Sequence, residues 1–277
     1  MKPLLADKII AQLTKDWKVI DVHIHIGASL GLIESQTGVA FKGSAEDLIK
    51  IMDLNGIDKA VISPIPGYSR PNGLKDTQKM NDMVANAVAK YPERFPCGLG
   101  VVEPLHGEAS LEEVRRIFKD LKLKGIMLHT RYQGIELDHP VVFKIFEESA
   151  KYKPVALVHV DGINEEPWRL ARLAESFPEI TFIAGHPAID IADLAHNLWL
   201  CKKFDNIYLD TCVWHVHNFP YRNAVKAIGA ERIVFGDDIP YIDVSYDLIH
   251  VKLAEISDEE KEQILWKNAA RLFKIDV

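Results

Sequence analysis

Four histidines and one aspartate stand at the ends of short apolar runs in this sequence. The pattern DVHIH supplies His23 and His25, two later runs end in His159 and His186, and the adjacent Asp237 and Asp238, either of which could supply the carboxylate, close the last run. Side chains alternate between the two faces of a β-strand, so histidines separated by one residue point the same way. The pattern predicts a metal site. Three imidazoles, one carboxylate and an open position suit zinc, with manganese, iron(II) and cobalt as alternatives.

Eight β-branched runs precede these polar residues and would position them. Each run is mostly Val, Ile, Leu or Phe, as expected of strands that are buried on both faces of a parallel sheet. The predicted strands span residues 18–26, 59–65, 95–103, 125–130, 154–161, 180–186, 207–211 and 232–237.

Segments with helical spacing separate most of these runs. Successive runs begin about 25 to 40 residues apart, which matches the length of one βα unit. Ser110-x-x-Glu113 and Ser257-x-x-Glu260 have the pattern of capping boxes at helix starts. Eight such units predict an α/β fold of the (β/α)8 TIM-barrel type, in which active sites lie at the carboxyl ends of the strands. A doubly wound open sheet is the alternative, but the first strand lacks the expected GxGxxG turn.

The chain is expected to form a single domain over residues 1–277. Residues 1–17 are predicted to form a helix outside the barrel, and residues 257–277 to form helices that close it. No linker rich in Pro, Gly or Ser interrupts the sequence, and no repeat of 20–50 residues is visible.

Composition restricts the partners and the compartment. The 277 residues include 33 Lys and Arg against 40 Asp and Glu, a net charge of −7, which argues against nucleic acid and anionic membranes. No apolar run approaches the roughly 18 residues of a membrane span, and the first residues lack a signal-peptide core. Three widely spaced cysteines form neither a disulfide framework nor a metal knuckle. We therefore expect a cytoplasmic protein that acts on a small molecule, with homodimer formation left open.

Several stretches resemble one known family over most of the chain. They are DVHIH, GIMLHTRYQGIELDHP, PVALVHVDG, AGHPA and VFGDDIP. In this order they resemble the amidohydrolase superfamily, and within it the amidohydrolase 2 branch of metal-dependent TIM-barrel hydrolases, which is related to the aminocarboxymuconate-semialdehyde decarboxylase group. The resemblance implies a TIM barrel and a metal. It leaves the substrate open, because the branch contains both hydrolases and non-oxidative decarboxylases.

The resemblance also implies roles for individual residues. His23 and His25 match the ligands on the first strand, His159 matches the ligand on the fifth, and Asp238 matches the aspartate after the eighth. Asp238 is expected both to bind the metal and to act in catalysis. His186 matches the histidine on the sixth strand, which acts as an acid or base beside the metal in members with one ion.

Two departures from the family pattern affect these assignments. The branch often ends its eighth strand with FGSDxP, whereas this chain has FGDDIP, so the alignment selects Asp238 over Asp237. The branch commonly carries a lysine on strand four, where this chain has Met127. Binuclear members often use such a lysine as a bridge between ions, so one metal ion per chain is expected.

Residues after the strands are expected to set specificity. Arg131 and Tyr132 follow strand four, and the guanidinium of Arg131 could pair with a substrate carboxylate. Trp214, after strand seven, is predicted to form a wall of the pocket. Arg70 is placed on a lid segment, and the second HxH pattern at 215–217 is not expected to bind the metal.

The favoured activity is a metal-dependent hydrolase that directs activated water at a C–N or C–O bond of a small molecule. In that mechanism Asp238 accepts the proton of the water and His186 stabilises the developing negative charge. The main alternative is a non-oxidative, metal-dependent decarboxylase of a small carboxylic acid. A phosphoesterase like the TatD-type deoxyribonucleases and a barrel with only a binding role are further alternatives.

Overall fold

Eight parallel strands organise the protein in the computed structural model, which describes residues 5–27, 43–65, 72–214, 220–242 and 244–276. The strands pair in the order of the sequence. They span Ile20–Ile26 (β1), Lys59–Pro64 (β2), Cys97–Val101 (β3), Gly125–Leu128 (β4), Val155–His159 (β5), Thr181–Gly185 (β6), Ile207–Asp210 (β7) and Ile233–Val234 (β8).

The sheet closes because β8 and the residues after it bond to β1. The backbone N–H of Val22 donates to the carbonyl of Phe235 at 3.0 Å, and that of Asp238 donates to the carbonyl of His23 at 2.8 Å. The predicted (β/α)8 barrel is confirmed. Each observed strand lies inside its predicted run but is shorter at one end or both, because many of the polar residues at the carboxyl ends leave the strand ladder.

Helices connect the strands and cover the outside of the barrel. They span Leu5–Thr14 (α1), Ala45–Asn55 (α2), Leu74–Lys90 (α3), Glu108–Lys119 (α4), Thr130–Gln133 (α5), Pro140–Ala150 (α6), Pro167–Ser176 (α7), Ile191–Lys203 (α8), Tyr221–Ile228 (α9), Val244–Leu253 (α10), Asp258–Glu262 (α11) and Asn268–Phe273 (α12), with a π-helical turn at Gln263–Lys267. None of the described helices is long and apolar enough to cross a membrane.

The two faces of the strands pack into separate apolar cores. Ile126 and Leu128 of β4 point outward into the larger core beneath the helices, whereas Met127 points into the barrel. Phe273 and Ile275 join the interior core from the end of the chain. The position of the family's strand-four lysine is therefore filled by a buried apolar side chain.

The two predicted capping boxes have different outcomes. Ser257 accepts the backbone N–H of Glu260, and the Glu260 side chain accepts that of Ser257, so the second box is confirmed. The first prediction is wrong, because α4 begins at Glu108 after Gly107. Ser110 therefore lies inside the helix, where its hydroxyl donates to the carbonyl of Glu103 at 2.6 Å.

Candidate metal centre and active site

The four predicted metal ligands converge at the carboxyl end of the barrel. Ligand atoms of His23, His25, His159 and Asp238 all lie within 4.8 Å of one another, and all four residues are buried. The first two share a face of β1, as their spacing predicts, and the third ends β5. Residues that are up to 215 positions apart in the chain thus form one cluster of imidazole nitrogens and a carboxylate.

Backbone groups orient two of these imidazoles through their Nδ1 atoms. The Nδ1 of His25 lies 3.1 Å from the carbonyl oxygen of Pro64, at the end of β2. The Nδ1 of His159 lies 3.3 Å from the carbonyl oxygen of Leu128, at the end of β4. A hydrogen bond at Nδ1 selects the tautomer that leaves Nε2 free to bind a metal, and it fixes the plane of the ring.

Asp210, at the end of β7, performs the same function for His23. Its Oδ2 lies 2.6 Å from the Nδ1 of His23, and its Oδ1 accepts the backbone N–H groups of His186 and Cys212, each at 3.2 Å. Burial raises the pKa of Asp210 well above its ordinary value. Asp210 could not be assigned this role from the sequence, because its contact with His23 spans 187 positions.

Asp238 reaches the cluster through a left-handed backbone, with φ of 56°. Its Oδ1 lies 3.0 Å from the Nε2 of His25 and 3.5 Å from that of His23. Burial by itself would raise the pKa of Asp238, but the interactions with His25, His186 and His23 outweigh it and lower that pKa to about 2. The side chain is therefore a carboxylate. Asp237 is also buried but is not among the clustered ligand atoms.

His186 lies beside the cluster between two carboxylates. It too has a left-handed backbone, with φ of 59°. Its Nε2 lies 3.6 Å from Oδ2 of Asp238, and its Nδ1 lies 3.9 Å from Oδ2 of Asp161. Burial lowers the pKa of His186, while the charges of Asp238 and Asp161 act in the opposite direction. An imidazole in this setting can hold and release a proton next to a bound ligand.

A cavity of about 110 Å³ opens onto this group of residues. Among the described residues it is lined by His25, His129, Tyr132, His159, Asp161, His186, Asp238 and Tyr241. Metal ligands and acid–base candidates thus share one small chamber with two tyrosines.

The three predicted specificity residues lie in different surroundings. Tyr132 lines the cavity, as expected of a residue that contacts substrate. Arg131 is exposed, and its guanidinium carbon lies 6.0 Å from the centre of the Tyr132 ring. It is not among the cavity-lining residues in the described part of the chain. The ring of Trp214 is buried against Tyr221 at 4.7 Å and is not among the described residues that line the cavity. Arg70 and the HxH pattern at 215–217 lie outside the described residues.

A buried pair beside the cluster was not predicted from the sequence. The Nδ1 of His129 lies 2.9 Å from Oε1 of Glu165, which is fully buried. Burial lowers the pKa of His129 to about 4 and raises that of Glu165 to about 7. His129 was visible as a histidine at a strand end. Glu165 carried no signal, because it lies on a connecting segment 36 positions away.

The clustered side chains fit a divalent metal ion. The Nε2 of His23 is buried and makes no hydrogen bond, although it faces the other ligand atoms. Burial lowers the pKa of both His23 and His159 well below the ordinary value, so these imidazoles are neutral, as metal ligands must be. Neutral nitrogens and one anionic oxygen form a donor set for a divalent transition metal.

Comparisons with known proteins agree on the family and revise the expected chemistry. A family model described as Amidohydrolase matches residues 20–275. A 2-amino-3-carboxymuconate-6-semialdehyde decarboxylase from Dictyostelium discoideum is 32% identical over 149 residues, which are 50% of this chain and 39% of the relative. A gamma-resorcylate decarboxylase from Polaromonas is 23% identical, over 82% of this chain and 86% of the relative.

A solved structure shows the same fold. The 5-carboxyvanillate decarboxylase of Novosphingobium aromaticivorans, complexed with manganese and 4-hydroxy-3-methoxy-5-nitrobenzoic acid, superimposes with a TM-score of 0.71. It is 20% identical, and the match covers 94% of this chain and 96% of the other.

The expectation of a hydrolase is wrong in the light of these relatives. The two relatives and the solved structure described above are decarboxylases, which was the alternative left open by the sequence. The error has a chemical reason, since the same ligand residues can serve either activated water or a bound carboxylate. The family assignment does not depend on which of these reactions the protein catalyses, because the matching model covers nearly the whole chain. The chain belongs to the amidohydrolase family.

Proposed function

We propose that this protein is a metal-dependent decarboxylase that removes carbon dioxide from a small carboxylic acid. The observation that carries the proposal is the cluster of His23, His25, His159 and Asp238, which opens onto a cavity that also contains His186. The activity of the named relatives supports decarboxylation as the reaction at such a cluster.

One divalent ion per chain would be held by the four clustered residues. Met127, buried in the barrel interior, has no group that could bridge a second ion. Three imidazoles and a carboxylate favour zinc, and manganese is the competitor because a structural neighbour contains it. When bound, such an ion supplies positive charge that holds substrate oxygens and offsets the negative charge that develops during the reaction.

His186 is the proposed proton carrier of the reaction. Decarboxylation breaks the bond between the substrate carbon and its carboxylate, and the electron pair left on that carbon takes up a proton. The imidazole of His186 faces Asp238 through Nε2 and Asp161 through Nδ1, and both carboxylates stabilise its protonated form. Asp238 would also keep the imidazole turned toward the cavity.

The proposal is tested by measuring carbon dioxide release from 2,6-dihydroxybenzoate, 5-carboxyvanillate and 2-amino-3-carboxymuconate-6-semialdehyde. Protein stripped with a chelator should be inactive, and one equivalent of zinc or manganese should restore release. Elemental analysis of the purified protein identifies the ion and its stoichiometry. Hydrolysis of esters, lactones or amides without any carbon dioxide release would overturn the proposal.

A further inference from the structure

Neither the metal cluster nor the proton transfer supplies a role for His129, which lines the cavity. It follows β4 directly, is 4% exposed and lines the chamber that holds the proposed active site. Its ring stacks on that of His159, with centroids 3.9 Å apart and planes 7° from parallel. The edge of the Tyr132 ring contacts it from another side, at a centroid distance of 4.0 Å. The ring is therefore held in one orientation.

Glu165 fixes which nitrogen of His129 carries hydrogen. Oε1 of Glu165 lies 2.9 Å from the Nδ1 of His129, and it also accepts the backbone N–H of Arg131 at 3.0 Å and the hydroxyl of Thr130 at 3.4 Å. Arg131 and Thr130 both donate to this oxygen, so the hydrogen of a neutral carboxyl group lies on the other oxygen and Oε1 still accepts. His129 must donate through Nδ1, which leaves Nε2 as a hydrogen-bond acceptor.

The free acceptor has no partner among the described residues. Within the described residues the ring of His129 is hydrogen-bonded through Nδ1, to Glu165, so Nε2 is the nitrogen available to a molecule in the cavity. A site that presents a fixed acceptor discriminates in favour of a ligand that carries a donor at the matching position, because a ligand without one leaves the acceptor desolvated and unpaired.

We propose that His129, held as its Nδ1–H tautomer by Glu165, determines specificity by accepting a hydrogen bond from a hydroxyl or amino group of the substrate. This inference rests on the proposed function and names a feature of its substrate: the carboxylic acid carries a hydrogen-bond donor in addition to its carboxylate. Glu165 does not contact the substrate and is a positioning residue.

The kinetic test compares matched substrates in two variants of the metal-loaded enzyme. His129→Phe keeps a flat ring to stack on His159 but removes the acceptor. It should raise KM for a hydroxylated acid about tenfold, the fold-change for one neutral hydrogen bond, with a smaller change in kcat. KM for the same acid with its hydroxyl replaced by hydrogen should change less than about twofold. Equal losses on both substrates would overturn the proposal.

Two variants of Glu165 separate positioning from bulk structure. In Glu165→Gln the amide oxygen can replace Oε1 and accept the same three donors, so discrimination between the matched substrates should be retained. Glu165→Leu removes the acceptor, and discrimination should fall to the level of His129→Phe. Retention of discrimination in Glu165→Leu would show that the tautomer is not set by this residue and would overturn its role.

A measurement that needs no turnover keeps the inference separate from the proposed function. Nitrogen-15 NMR of the zinc-loaded wild-type protein should show the His129 ring with hydrogen on Nδ1 and a bare Nε2. Hydrogen on Nε2 would overturn the inference, whatever reaction the enzyme catalyses. A second ion per chain that disappears in Glu165→Leu would also overturn the inference, because His129, Asp161 and Glu165 would then form a cation site. Absence of decarboxylation with the predicted tautomer intact would refute only the proposed function.

Discussion

Replacing Asp210 with asparagine should weaken metal binding without removing a ligand. Oδ1 of Asp210 accepts two backbone N–H groups, those of His186 and Cys212, so the asparagine oxygen should take that position. The asparagine NH2 group would then occupy the place of Oδ2, 2.6 Å from the Nδ1 of His23. Two donors cannot face each other, so His23 must carry its hydrogen on Nε2, the atom that faces the other ligands.

The expected loss of affinity follows from this change of tautomer. Substitutions of groups that orient metal ligands typically cost about 10- to 100-fold in affinity, which corresponds to about 1.4–2.7 kcal/mol. Competition with a fluorescent chelator would measure the dissociation constant of the ion. Glu103→Gln is the matched control, because Glu103 is a buried carboxylate after β3 that pairs with Gln133 outside the metal cluster. An Asp210→Asn protein that binds the ion as tightly as the wild type would refute the proposed orienting role.

Three further outcomes can be checked. His186→Ala should retain the metal in elemental analysis and lose about 10²- to 10⁴-fold in turnover, and a metal-free but folded variant would make it a ligand instead. Asp238→Asn should abolish turnover with the fold intact, whereas Asp237→Asn should retain turnover, because Asp237 is not among the clustered ligand atoms; the reverse would show that the register is off by one. A hydrogen bond from Lys90 is the main cause that lowers the pKa of Glu46 to about 2. The Glu46 carboxylate therefore stabilises the fold above its unfolded pKa of about 4.5, and this stabilisation is lost as the pH falls toward 2. Glu46→Gln should flatten the difference between melting temperatures at pH 6 and pH 3, and an unchanged difference would contradict that attribution.

Local pattern was sufficient for the strands and for most of the candidate ligands. Apolar runs identify buried strands because each strand is covered on both faces, and the spacing of eight such runs identifies the barrel. The HxH pattern at His23 and His25 needs only the alternation of side chains along β1. His159 could be proposed because the carboxyl ends of parallel strands meet on one face of a barrel.

The choice between Asp237 and Asp238 needed more than strand alternation. Alternation shows only that two consecutive residues cannot both face the metal, and resemblance to the family selected Asp238. The structure adds the physical reason, since β8 ends at Val234 and the left-handed backbone of Asp238 turns its carboxylate toward His25. The backbone N–H of Asp238 also donates to the carbonyl of His23 on β1, a long-range contact that has no trace in the local sequence.

The sequence by itself determined the barrel, the order of its strands and the residue types at one of its ends. Only the tertiary structure decided which groups orient those residues, because the contacts of Asp210 with His23 and of Glu165 with His129 join positions 187 and 36 residues apart. Arg131 and Trp214 are also not among the described residues that line the cavity, since a position after a strand does not fix the direction of a side chain. Residue types report which chemistry is available, whereas the partners of each nitrogen and oxygen, which depend on the packed fold, decide how it is used.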